Sequence, residues 1–243
     1  DITVRPARLP LLVDTELREA ARWEAAGLLE IDASDVVADA LPLSSETDAE
    51  GRTEMLVVAA SASGLEQRLA PLITAGLRPI ALEPAFFGAG RAFTVRSRRQ
   101  QEQHEIRVVV DVSETESWIV VTRGDRLMFA KRSDVGGAAF DAELAAGLGI
   151  EPATARRTRL DGRDRTRDPE VLAEVMTAVR RAGASLADEI AMAVRYVTVT
   201  TRLGRPQALH LSGEAGATPG LQETIESSIP GIPVESASFV EQR

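Results

Sequence analysis

Few residues in this chain could do chemistry, and the most telling ones lie in its second half. Residues 106–111 (Ile-Arg-Val-Val-Val-Asp) form an apolar run ending in an acid, the pattern of a buried strand that delivers a carboxylate, Asp111, at its tip. Gly136-Gly137 opens a segment in which Phe140, Leu144 and Leu148 fall on one helical face, and Gly149 closes it with the residue type best suited to a left-handed cap. Asp161, Asp164 and Asp168 alternate with Arg163, Arg165 and Arg167, which reads as a solvated loop rather than an acid/base pair. His104 lies in a polar stretch and His210 in an expected strand, neither with a second histidine or a cysteine nearby, so metal or triad roles are not indicated. The chain has no cysteine, hence no thiol nucleophile, thiolate site or disulfide framework. Gly-x-x-x-x-Gly-Lys, Gly-x-Ser-x-Gly and a complete Gly-x-Gly-x-x-Gly are all missing. No catalytic residue and no metal ligand is assigned.

The elements that must position these residues can be read from periodicity. Residues 106–111, 117–122 and 126–131 read as three strands, with Gly124 supplying the positive φ of the turn between the last two. Upstream, residues 2–9 read as a strand, and Asp14 as the N-cap of a helix over 15–26. Residues 36–43 and 55–60 read as strands, and Ser63 with Glu66 as a capping box for a helix that Pro71 kinks and Gly76 ends. A short strand over 79–82 and a Phe-rich helix over 84–93 follow, then a polar stretch, 94–105, expected to be an interdomain linker. Downstream come a short helix over 151–160, a charged loop over 161–168 and a long helix from Pro169, with a break or bend at Gly183. A strand over 208–212, a helix capped by Thr218-Pro219 and a last strand over 232–235 complete the chain. The organisation expected from these elements is α/β, in two parts separated by the polar stretch 94–105.

Bulk composition narrows the partners. The 243 residues are 44% hydrophobic, enough for a sizeable core. The net charge of −9 argues against nucleic acid or anionic lipid, each of which needs a basic face. Lys131 is the sole lysine among 28 basic residues, as expected of a GC-rich genome. No apolar run approaches the roughly 20 residues that cross a bilayer. The chain begins at Asp1 inside an expected strand, which suggests that an N-terminal part has been removed.

The strand, strand, strand, helix unit with an acid at its first tip resembles the core module of actin-like nucleotide-binding proteins, a ribonuclease H-like ATPase fold. The whole chain is similar to the PilM family of type IV pilus assembly, itself related to FtsA. The resemblance rests on Leu9-Pro10 with residues 14–28 (Asp-Thr-Glu-Leu-Arg-Glu-Ala-Ala-Arg-Trp-Glu-Ala-Ala-Gly-Leu), and on residues 54–60 with Ala75-Gly76-Leu77-Arg78-Pro79. It continues through Asp134-Val135-Gly136-Gly137 to Leu148-Gly149, Ala187-Asp188-Glu189-Ile190 with Tyr196, and Leu211 to Gly216 with Pro219-Gly220-Leu221. The family's first phosphate hairpin, Asp-x-Gly-Ser-Ser, has no counterpart before Asp1. The resemblance therefore implies a small inserted α+β subdomain over residues 1–77 running into a remnant of the first actin-like half, the rest of that half and a linker over 78–105, and a nearly entire second half over 106–243.

By this resemblance Asp111 would hold Mg²⁺ through water, Ser113 would stand at the phosphates, and Gly136 and Gly137 would belong to the same cofactor site. Gly213 and Gly216 would lie against adenine and Glu189 near the ribose. Ser113 stands where the family motif needs glycine, and Glu114 follows; a carboxylate about 4 Å from a phosphate charge costs roughly 4 kcal/mol at an effective dielectric near 20. ATP and Mg²⁺ binding is therefore expected to be weak or lost and hydrolysis absent. The 212–220 stretch reads equally well as a plain strand-to-helix turn. The resemblance further implies a cytoplasmic scaffold, peripheral at the inner membrane, that holds the N-terminal cytoplasmic peptide of a PilN-like bitopic protein. It involves no nucleic acid and no direct membrane insertion, and a homo-oligomer is compatible with it. The candidate partner surface is Arg18, Arg22 and Trp23 with Leu82, Phe86 and Phe87, although a tryptophan in this setting is more often a partly buried packing residue. The competing classes are an actin-like-superfamily phosphotransferase or ATPase, which needs an intact phosphate cradle and a general base, and an FtsA-like membrane-tethered filament former. The latter needs a basic amphipathic C-terminal helix, and residues 236–243 are too short and polar for one.

Overall fold

The computed structural model describes residues 2–43, 46–94, 104–161, 168–200 and 204–236. Most of the expected linker and of the charged loop, including Asp164, Arg163, Arg165 and Arg167, lies outside the described residues, as does most of the tail. The chain divides into two compact units, Asp1–Phe87 and Gly88–Arg243.

In the first unit β1 (Ile2–Pro10), β2 (Val36–Pro42) and β3 (Arg52–Ser61) form an antiparallel sheet with β3 in the middle. Alternation decides what covers it: Val36, Ala40, Met55, Val57, Ala59 and Leu9 share one face and bury against Ala21, Ala25 and Ala26 of α1 (Asp14–Leu29). Small alanines on the helix let it lie close to the sheet. Asp14 does not cap this helix; Val13 occupies the N-cap without a side-chain bond, and Asp14 stands in the first turn, where its charge favours the positive end of the dipole. The expected box at Ser63 and Glu66 is also displaced. Ser61 caps α2 (Ala62–Thr74), its Oγ accepting from the Gly64 amide at 3.1 Å, while Ser63 donates from its amide and hydroxyl to the Asp35 carboxylate. Residues 79–82 form no strand, and Ile80 is 99% exposed. The helix α3 (Ala85–Thr94) follows.

The second unit is built on a five-stranded mixed sheet in the order β6-β5-β4-β7-β8. Its strands are β4 (Ile106–Val112), β5 (Ser117–Arg123), β6 (Arg126–Ser133), β7 (Ala208–Ser212) and β8 (Val234–Ser236). The first three make an antiparallel meander, and β7 and β8 add in parallel. The helices are α4 (Gly137–Leu148), α5 (Pro152–Asp161), α6 (Pro169–Thr200) and α7 (Leu221–Ser228). Val108, Val110 and Val112 share a core with Phe140, Leu144, Val179, Leu186, Ile190 and Leu221 from α4, α6 and α7. Val109, on the opposite face, is buried too, between its register partners Val120 and His210. A strand covered on both faces reads as a continuous apolar run, which is why residues 106–112 show no alternation.

Two local expectations are corrected. Gly183 does not break α6, which runs unbroken from Pro169 to Thr200. A Cβ there would stand 3.5 Å from Leu221 Cδ1 and 3.8 Å from Phe140 Cε1, so the glycine serves close helix packing. The residue that caps α7 is Gly220, at φ +87°, rather than Thr218-Pro219; Thr218 supplies its carbonyl to the Leu221 amide at 3.2 Å.

On the second face of this sheet the Phe93 ring stacks on His210 at 4.7 Å. Burial pushes the His210 imidazole below its ordinary pKa; the nearby Glu235 opposes this and Arg107 adds to it. The unfolded chain thus binds a proton more readily than the folded one, so this residue's contribution is intact above about pH 6.5 and is lost as pH falls toward the lower folded value. In urea titrations from pH 7 down to pH 5, replacing His210 with Phe, which keeps the stack, is expected to flatten this part of the acid-side decline. An unchanged slope would show that His210 does not drive it.

Candidate functional site: the strand-tip cluster

The tips of β4 and β7 lie side by side, with Asp111 and Ser212 as parallel register partners, and Ser212 Oγ donates to Asp111 Oδ1 at 3.0 Å. Beyond Ser212 the chain turns sharply. A Cβ on Gly213 would lie 2.4 Å from the Val112 carbonyl oxygen, and one on Gly216 would lie 2.2 Å from that of Ser212. The Ala215 amide donates to Val112 O at 2.9 Å, so this turn is stitched directly to the end of β4.

The β4–β5 turn is closed within itself. The Ser113 amide and hydroxyl both donate to Glu116 O, at 2.9 and 2.7 Å. Its carbonyls then cap α4: Gly137 N donates to Ser113 O at 2.9 Å and Ala138 N to Glu114 O at 2.7 Å. Gly136 is required for this approach, because a Cβ there would stand 2.7 Å from both Glu114 O and Glu116 N.

Behind the turn lies a charged cluster that sequence reasoning missed. Arg159 of α5 is fully buried. Its Nε and NH2 donate to the two oxygens of buried Asp141 at 2.5 and 3.0 Å, NH1 donates to Thr218 Oγ1 at 3.3 Å, and NH2 donates to Glu114 Oε2 at 3.2 Å. Arg156, one turn away, reaches Glu114 Oε1 at 3.5 Å and Glu214 at 3.0 Å. The hydrogen bond that Arg156 donates to Glu214, then the charge of Glu114, hold the Arg156 guanidinium above its ordinary pKa. One arginine thus joins the β4–β5 turn, α4, α5 and the turn after β7. The only trace of it in the sequence is that Ala155 and Arg159 stand four apart on one face of a helix that carries little else apolar.

Asp111, Ser113, Gly136, Gly137, Gly213 and Gly216 are therefore connected through direct contacts of the two turns. Glu189 is engaged elsewhere, accepting from Ser133 Oγ at 2.9 Å and pairing with Lys131 Nζ at 2.7 Å on β6. In the first unit Trp23 is 66% exposed and Leu82 56%, whereas Phe86 is 1% exposed and contacts Phe87, ring centroids 4.5 Å apart. Arg18 lies 3.8 Å from Asp39 and Arg22 2.6 Å from Glu19. Among the described residues, buried Arg22 Nε has no hydrogen-bond partner. Among the described residues no helix is long and apolar enough to cross a membrane, and no group of three or more His, Cys, Asp or Glu could hold a metal ion.

The structure of a PilM-PilN type IV pilus biogenesis complex matches with a TM-score of 0.75 at 22% identity, covering 98% of this chain and 66% of the matched one. Ethanolamine utilization protein EutJ from Carboxydothermus hydrogenoformans matches at 17% identity and TM-score 0.43, over 54% of this chain and 44% of its own. An archaeal actin homolog matches at 17% and 0.44, over 63% and 49%. No curated protein matches in sequence. Sheet order and the PilM match together define an α/β protein of actin-like fold. The model for type IV pilus assembly protein PilM matches residues 8–237, and the chain belongs to that family. It spans just under two thirds, 66%, of the solved relative's length.

The nucleotide phosphates that this fold implies do not suit the residues around Asp111. The amides of Gly137 and Ala138 are already given to carbonyls, Asp111 accepts from Ser212, and the Glu114 carboxylate stands before the first turn of α4.

Proposed function

We propose that this protein is a scaffold in the inner-membrane platform of a type IV pilus or a related secretion machine. It lies on the cytoplasmic side and holds the N-terminal tail of a PilN-like bitopic protein. The observation that carries this reading is the family match over residues 8–237, and the solved relative, a PilM-PilN complex, supplies the partner class. The first unit offers suitable features for an extended peptide: two edge strands, β1 and β2, and a helix with Trp23 in solvent. Arg22, its side chain 34% exposed, can offer guanidinium N–H groups to the carbonyls of such a peptide. The tail surface is Arg18, Arg22 and Trp23 of α1 together with Leu82 and Phe87, with Phe86 supporting Phe87 from below. Phosphoryl transfer is no part of this function, and ATP with Mg²⁺ is bound weakly or not at all.

The test is fluorescence anisotropy with a labelled peptide of the N-terminal cytoplasmic tail of a PilN-like protein. Arg22→Glu and Phe87→Ala should each weaken binding by roughly tenfold or more, as expected for losing a charge-assisted hydrogen bond or an apolar anchor. Circular dichroism checks that both variants are folded. Unchanged affinity in both would remove this surface from the account.

A further inference from the structure

We propose that Glu114 is a built-in substitute for a bound oxyanion, closing a latent phosphate site made by Arg156, Arg159 and the first turn of α4. Three sources of positive potential converge on this carboxylate. Arg159 NH2 donates to Oε2 at 3.2 Å and Arg156 Nε lies 3.5 Å from Oε1. The third is the N-terminal end of α4, whose backbone dipoles favour an anion. Gly137 is what admits the group there: a Cβ on it would stand 2.9 Å from Glu114 Oε2 and 2.7 Å from Arg159 NH2.

The burial pattern places the anion at a mouth rather than in a sealed core. Arg159's side chain is 1% exposed, Asp141's 6%, but Glu114's 26% and Arg156's 44%. Buried Asp141 fixes the inner side of the Arg159 guanidinium with two hydrogen bonds, leaving NH2 to turn outward to Glu114. A fixed guanidinium aimed at an opening, with a second one beside it, is an oxyanion receptor. Here the receptor is satisfied by its own chain. The α4 amides of Gly137 and Ala138 are committed to the Ser113 and Glu114 carbonyls, so the guanidinium groups carry the recognition. The ligand class is phosphate, free or as the terminal phosphate of a nucleotide. This inference is independent of tail binding.

The experiment measures thermal unfolding of the full chain in millimolar sodium phosphate, millimolar ADP, or sodium chloride at matched ionic strength. The unmodified protein should unfold at the same temperature in all three. Glu114→Ala should unfold earlier in chloride and recover more than half of that loss in phosphate. Adding Arg156→Ala to it should abolish most of the recovery. A rise in ADP beyond that in phosphate would assign the nucleotide as the source of the phosphate. If Glu114→Ala does not fold, Glu114→Gln, which keeps the length and removes the charge, is read in its place. No phosphate-specific rise in the variant overturns the proposal. So does an equal rise in the unmodified protein, because the carboxylate would then close nothing.

Discussion

Arg159→Ala is expected to destabilise the second unit by about 3–5 kcal/mol, the range for removing one partner of a buried ion pair. The cost comes mainly from what is left behind. Asp141 is buried and receives two hydrogen bonds from Arg159, so truncation leaves a carboxylate in a poor solvent with its main donor gone. Thr218 and Glu114 lose a donor as well. Arg156→Ala is the control. Its partners Glu114 and Glu214 are reachable by water, and exposed pairs contribute little, so the urea midpoint should scarcely move. The pair Arg159→Met with Asp141→Leu should recover much of the loss, because removing both buried charges removes their desolvation cost. A small effect of Arg159→Ala, with the pair of changes no better than the single one, would mean that the cluster is not structural.

The sequence made the second unit legible because its signals were redundant. The run 106–112 is continuous because β4 is covered on both faces, and 137–148 carries Phe140 and Leu144 one turn apart between glycines that each have a geometric reason. Errors arose where one residue type was read without its neighbours. Ser63 has the spacing of a capping box, yet Ser61 is placed to reach the Gly64 amide and Ser63 is taken by Asp35, twenty-eight positions away. Gly183 carries the ordinary cost of about 1 kcal/mol in a helix, which contact with Leu221 and Phe140 offsets. Residues 79–82 have strand propensity, but a strand needs a partner, and among the described residues they pair with none. The candidate site was half visible. Asp111 and the glycines stand out by type, and the conflict of Glu114 with a phosphate could be argued from charge. Arg159 could not be found, because burial of an arginine depends on Asp141, Thr218 and Glu114, which are scattered over a hundred positions.

The turn after β7 yields the second large effect. Gly213→Ala is expected to cost about 3 kcal/mol, combining left-handed strain of roughly 1–2 kcal/mol with overpacking of about 1–3 kcal/mol. Its φ is +85°, and the new Cβ would stand 2.4 Å from Val112 O and 2.7 Å from Val112 N and Asp111 Oδ1. Those atoms cannot retreat cheaply. Val112 O accepts from Ala215, and Asp111 is fixed both by the β4–β7 register and by Ser212. Gly149→Ala separates the two terms, since Gly149 has φ +64° at the end of α4 but nothing within 4 Å of its Cβ position. It should show the conformational strain alone, about 1–2 kcal/mol. Urea unfolding of both variants gives the difference directly. If the two cost the same, the two strand ends are not packed as closely as these contacts require. The seating of the Ser212–Gly216 turn against Asp111 would then have to be abandoned, and with it the joining of the two turns into one cluster.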